Sequence, residues 1–139
     1  MDKINLIEEL PKGGHATGKY LKYDWLVVRH STLGHLCGYV KLWKNHPLEI
    51  SISNSRYDKL DIDCHGGVTF ARGVEAKDKF MVDHGFTPGY WFGWDYAHLG
   101  DWVDYSIPSF QNPEDHRWTL EEVIRECHKV IGQLTEKYT

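Results

Sequence analysis

Residues 119–134 carry the pattern that most narrows what this chain can become. Thr119 is a good helix N-cap, and Glu122 stands three positions later, completing a capping box. Leu120, Val123, Ile124, Cys127, Val130, Ile131 and Leu134 then recur at helical spacing and form one apolar stripe. Glu121, Arg125, Glu126, Lys129 and Gln133 occupy the other side. A helix with one apolar stripe must lay it against another element. The rest of the chain offers strands to receive it.

The segment 23–30 (Tyr-Asp-Trp-Leu-Val-Val-Arg-His) is rich in β-branched and aromatic residues and reads as a strand. Ser31-Thr32-Leu33-Gly34 turns the chain, and 35–42 returns as its partner. There Leu36, Val40 and Leu42 share one face, with His35, Cys37, Tyr39 and Lys41 on the other. Gly38 interrupts the apolar face, which marks a bulge or a close approach by a neighbour. Further strands are expected at 59–65, at 68–70, at 79–82 and at 90–96. Residues 1–19 read as a helical or irregular lead-in ending in a Gly-rich loop, 43–58 as a surface connection, and 99–117 as a long loop of the kind that often carries function. The expected fold is α+β: an antiparallel sheet of about five strands with the C-terminal amphipathic helix on one face, in a single domain spanning 1–139.

The chain has 139 residues, enough to bury a substantial core. Aromatics make up 14% of it, and each large ring buries much apolar area. Its net charge is −4, with no basic run long enough to track a phosphate backbone, which argues against a nucleic-acid polymer as partner. The charged N-terminal stretch is expected to be neither a signal peptide nor a membrane span. Cys37, Cys64 and Cys127 are odd in number, widely spaced and free of any CxxC or finger pattern, so reduced thiols in a cytoplasmic protein are expected.

Two concentrations of residues can carry chemistry. Read as a strand, 60–65 sends Leu60, Ile62 and Cys64 inward and Asp61, Asp63 and His65 outward. Two carboxylates and an imidazole in a row call for a donor or a cation between them, unless the face is simply solvated. Gly66 and Gly67 follow; paired glycines permit positive φ and bare the backbone N–H groups to a ligand, or make a plain turn. The second concentration runs from Tyr90 to Asp101. Asp95, His98 and Asp101 fall three residues apart, on one side of a helical turn, while Trp91, Phe92, Trp94 and Tyr96 offer rings on which a planar ligand can stack. With Asp63 and His65 the acidic and imidazole groups also make a plausible set for zinc, manganese or iron. No GxSxG elbow or catalytic cysteine context is present.

Three blocks, His35-Leu36-Cys37-Gly38-Tyr39-Val40, then Asp61-Ile62-Asp63-Cys64-His65-Gly66-Gly67-Val68-Thr69, then Trp91-Phe92-Gly93-Trp94-Asp95-Tyr96-Ala97-His98-Leu99-Gly100-Asp101, together resemble a family of small phage and prophage proteins. The resemblance covers roughly 35–101 and the terminal helix. It implies a bacterial cytoplasmic setting during infection and carries over no catalytic residue. Small phage accessory proteins commonly counter host defences, some as sponges for nucleotide immune signals, so an anti-defence role follows by analogy.

The leading expectation is a binding protein that sequesters a small nucleotide-derived ligand. Trp91, Phe92 or Trp94 would stack on a base; Asp63, Asp95 and Asp101 would accept from hydroxyls or amines; His65 and His98 would donate; Gly66, Gly67 and Thr69 would add backbone and hydroxyl contacts. No cofactor is required, and a homo-oligomer fits a pocket formed between subunits. A second expectation is a hydrolase of nucleotide-like substrates, in which His65, His98 and Asp63 act as acid and base, or His65, His98 and Asp95 hold a divalent metal. A third is an inhibitor that docks on a host protein through Trp43, Trp102 and Trp118.

Overall fold

Alternation of side chains along the strands sets the architecture of the computed structural model, which describes residues 10–103 and 113–138. Five strands form one sheet: β1 (His15–Tyr20), β2 (Tyr23–Arg29), β3 (Leu36–Lys41), β4 (Phe70–Val74) and β5 (Gly89–Asp95). Their order is β1-β2-β3-β5-β4, and every neighbouring pair is antiparallel. Among the described residues three α-helices accompany them: α1 (Glu49–Ser53), α2 (Lys79–Asp83) and α3 (Leu120–Lys137). The expected α+β fold, with its five-stranded sheet and C-terminal helix, is the one observed.

The α3 helix lies across β2 and β3, and its stripe is buried from Leu120 to Leu134. Tyr23, Trp25 and Val27 of β2, Leu36 and Val40 of β3, and Phe92 and Trp94 of β5 meet it in the main core. Gly38 gives its place to the Trp94 ring: a Cβ there would lie 2.7 Å from Trp94 Cζ2. Thr119 and Glu122 form the expected capping box, a device that stabilises a helix by about 1 kcal/mol. The other face of the sheet carries a smaller cluster of Leu26, Val28, Val74, Met81, Phe86 and Trp91. β5 is therefore an interior strand covered on both sides.

Several elements differ from expectation. β1 is an exposed edge strand, HATGKY, with no apolar alternation; it forms by pairing with β2 through a two-residue turn at Leu21, where φ is +55°. Residues 60–65 are not a strand. A 3-10 turn (Tyr57–Lys59) precedes them and Asp61 takes φ +49°, which breaks extended backbone. The inward set Leu60, Ile62 and Cys64 still packs on the main core. Residues 79–82 belong to helix α2, where Met81 is buried and Lys79 pairs with Asp83 one turn on. The connection 43–58 contains α1, anchored by buried Leu48 and Ile52. Of the lead-in, residues 1–9 lie outside the described residues, as do 104–112 of the long loop. No described helix is long and apolar enough to cross a membrane. The three cysteines are free, and burial pushes the Cys37 and Cys64 thiols up to about 12.

Candidate functional site

The loop after Cys64 and the segment after β5 meet at the N-terminal end of α3. His65 Nε2 lies 2.9 Å from both carboxylate oxygens of Asp101. The Asp101 side chain is 4% exposed and has two further donors. The His98 backbone N–H reaches Oδ2 at 2.9 Å, and the Trp118 indole N–H reaches Oδ1 at 2.8 Å. Burial alone would raise the Asp101 carboxyl; the bonds from His65, His98 and Trp118 outweigh it and hold the group below the usual carboxylate range. Asp101 is thus the ionised hub of the cluster.

Each partner is positioned from a different direction. The His65 ring stacks on Tyr96 with centroids 4.5 Å apart and meets Trp118 edge-on at 4.8 Å. The His65 backbone N–H donates to Glu126 of α3 at 2.9 Å. His98 sits over Gly66, whose φ of +71° favours glycine; a Cβ there would lie 2.3 Å from His98 Cε1. Asp95 is held by the Thr69 hydroxyl at 3.2 Å and the Ala97 amide at 3.1 Å. Asp101 and His116 form an isolated bridge, and His116 reaches the capping Glu122 at 2.9 Å.

The expected convergence of the two motif blocks therefore holds for His65, Gly66, Thr69, Asp95, His98 and Asp101. It does not hold for the rest of the expected set. Asp63 points outward from α3, with its side chain 85% exposed and Lys129 3.7 Å away, so it joins neither the acid–base nor the ligand-binding group. Gly67 has φ +83° and open space around it. Trp91, Phe92 and Trp94 are no more than 1% exposed; Phe92 and Trp94 lie in the main core and Trp91 in the smaller cluster, so both faces of β5 are core. Baring such a side chain would forfeit roughly 1.5–3 kcal/mol, so these rings are not a stacking surface. The expected docking anchors are also engaged. Trp118 donates to Asp101, Arg117 lies 4.4 Å over the Trp102 ring, and Trp43 packs against Tyr23 and His46.

Next to the cluster lies a cavity of about 190 Å³, lined among the described residues by Arg29, His35, Tyr96, Trp102, Arg117 and Trp118 and their neighbours. Tyr96 and Trp118 are shared: they form its wall and also touch His65. Arg29 holds the Gly34 and Leu10 carbonyls through Nε and Nη1. No carboxylate pairs with Arg117 among the described residues. His35 stacks on His30 at 4.9 Å, and its Nδ1 is buried with no hydrogen-bond partner among the described residues. Burial and the neighbouring His30 push its pKa below the ordinary value.

Sequence reasoning missed the roles of Arg29, His35 and Arg117, which come from three separate elements. The one usable signal was Trp118 beside the helix cap, since a buried indole N–H needs an acceptor. No family model, curated protein or solved structure matches the chain.

Proposed function

We propose that the protein binds a small anionic, ring-bearing ligand of the nucleotide class in the cavity beside the His65–Asp101 pair. The supporting observation is the composition of that cavity. The Arg117 guanidinium and the His35 imidazole stand beside the Trp102 and Trp118 rings, while Arg29, whose Nε and Nη1 hold backbone carbonyls, forms part of the wall. Arginine forks suit phosphate, and flat rings suit a base. The side chains expected to stack are thereby replaced by Trp102 and Trp118, while the ligand class stays as the sequence suggested. A volume of about 190 Å³ is below the usual 300–1,000 Å³ of small-molecule sites. It takes one ring or one phosphate-bearing sugar, with the remainder of a larger ligand outside. Capture of an immune signal in a phage-infected bacterial cell is the biological setting that fits this reading, by analogy.

Calorimetry against mononucleotides, cyclic dinucleotides and ADP-ribose derivatives tests the proposal. Saturable binding to at least one, weakened tenfold or more in Arg117→Ala and Trp102→Ala, is expected. Silence across the panel from folded protein overturns it. The hydrolase reading keeps one supporting observation, the contact of His65 with two cavity-wall rings. Chromatography of the recovered ligand separates the two: unchanged ligand means capture, and product means turnover.

A further inference from the structure

We infer that His65, His98 and Asp101 form a binding site for one divalent transition-metal ion, held by His65 Nε2, His98 Nδ1 and Asp101 Oδ2. This goes beyond the cavity reading and stands or falls separately from it. The three residues offer donor atoms that all lie within 4.8 Å of one another. His65 Nε2 is 2.9 Å and His98 Nδ1 3.4 Å from the same Asp101 oxygen. A metal that holds nitrogen and oxygen ligands at about 2.0–2.1 Å in a tetrahedron spaces them about 3.4 Å apart. The separations of His65 Nε2 and His98 Nδ1 from Asp101 Oδ2, 2.9 and 3.4 Å, lie just below and at that value.

The second observation is His98 Nδ1 itself. It is buried and has no hydrogen-bond partner among the described residues. Its nearest oxygens, on Asp101 at 3.4 Å and on Asp95 at 3.7 Å, exceed the 2.7–3.2 Å range of a good N–H···O bond. Those distances suit two atoms that share a cation. Leaving such a nitrogen buried and unpaired is unfavourable, and a bound metal removes that cost.

The surrounding groups behave as a supporting shell. The Trp118 indole and His98 amide orient the Asp101 carboxylate, and Tyr96 stacking fixes the His65 ring. Gly66 leaves room for the His98 ring to sit down on the loop. Such outer contacts orient ligands and tune affinity. The side chains of His65 and His98 are 26% and 35% exposed, so the three donors lie close beneath the surface. Two imidazoles with one carboxylate select zinc, manganese, iron or cobalt over calcium and magnesium, which favour oxygen-only sets.

The test uses tag-free full chain, stripped with chelator, titrated calorimetrically with Zn²⁺ and with Mn²⁺, with circular dichroism to verify folding. One equivalent is expected to bind at least one of these ions. His98→Ala and His65→Ala are each expected to weaken it tenfold or more, and Asp63→Ala to leave it unchanged. Absence of saturable binding by the folded chain overturns the inference, and so does wild-type affinity in folded His98→Ala. Should His65→Ala fail to fold, His98→Ala decides alone, since its ring nitrogen Nδ1 supports no hydrogen bond whose loss would unfold the chain. The nucleotide panel has no bearing on this outcome.

Discussion

Gln133 and Asp63 are seventy positions apart, yet the Gln133 side chain takes both backbone bonds of Asp63. Its Oε1 accepts the Asp63 N–H at 2.9 Å, and its Nε2 donates to the Asp63 carbonyl at 2.6 Å. One amide side chain thereby does what a facing residue does in an antiparallel ladder. Glu126 and Lys137 extend the same arrangement, with Glu126 accepting from His65 N–H and Lys137 donating to the Asp61 carbonyl. The polar side of α3 is a clamp that sets the height of His65 above the core. Gln133→Ala should cost about 1–2 kcal/mol, the loss of two partly exposed bonds. Amide exchange at Asp63 should quicken with it. Gln133→Glu keeps the acceptor but sets a carboxylate oxygen against the Asp63 carbonyl, so it should not restore the stability lost in urea denaturation. Unchanged exchange at Asp63 in Gln133→Ala would refute the clamp.

That clamp also shows where sequence reading succeeds and stops. The period-two alternation of 60–65 is visible and correct as to which residues point inward, because burial of Leu60 and Cys64 sorts the side chains whatever the hydrogen-bond partner. The partner is invisible, since nothing local marks Gln133 as facing Asp63. The stripe of α3 and the alternation of β2 and β3 are legible for the same reason: each is a local record of one buried face. The tryptophans of β5 are legible as a strand but not as core. Strand order, which puts β5 between β3 and β4, decides that both its faces are core, and order is not written in any one segment. The meeting of His65 with Asp101 can be anticipated from residue type. The cavity cannot, because Arg29, His35 and Arg117 gain meaning only when β2, β3 and the approach to α3 come together.

Asp101 accepts from three donors, so replacing it with asparagine tests the hub. The substituted amide retains one acceptor oxygen for Trp118 but turns its own N–H toward the His98 N–H and His65. Asp101→Asn should destabilise the fold by about 2–3 kcal/mol, the cost of losing charge-assisted bonds at a buried site. The pH dependence carries a sign. Because the folded carboxyl lies below its ordinary value, its stabilisation is complete above the unfolded value of about 3.9 and is lost as pH falls through the lower folded one. Acid denaturation below about pH 4 should therefore be shallower in Asp101→Asn than in wild type.

His46 sets a second, higher pH window. It is 3% exposed, its Nδ1 accepts the Leu48 amide at 3.0 Å, and its Nε2 faces the Tyr23 hydroxyl at 2.9 Å. Burial pushes its pKa down to about 4, with Glu49 opposing weakly. The unfolded chain takes up this proton near pH ~6.5 and the folded chain only near 4, so stability falls as pH drops between the two. Stability at about pH 5 should be lower than at about pH 7 by about 2 kcal/mol from this residue alone. Urea midpoints at the two values should converge in His46→Gln. Equal pH slopes in wild type and variant would count against the assignment.

Gly66 and Gly67 share a left-handed backbone but differ in what surrounds them, and the pair separates conformation from contact. Both have positive φ, +71° and +83°; a Cβ on Gly67 meets nothing within 4 Å, whereas one on Gly66 falls 2.3 Å from the His98 ring. Gly67→Ala should therefore cost only the left-handed strain of an L-residue, about 1–2 kcal/mol. Gly66→Ala carries the same strain and adds a collision with a ring, typically about 1–3 kcal/mol more unless the ring moves. If His98 swings away, the expense appears instead as a shifted His98 imidazole resonance and as weaker Zn²⁺ uptake. Chemical denaturation with imidazole NMR on both variants distinguishes these outcomes. Equal stability losses with an unmoved His98 resonance in both would mean that the ring does not rest on Gly66, and the arrangement that aims His98 at Asp101 would lose its floor.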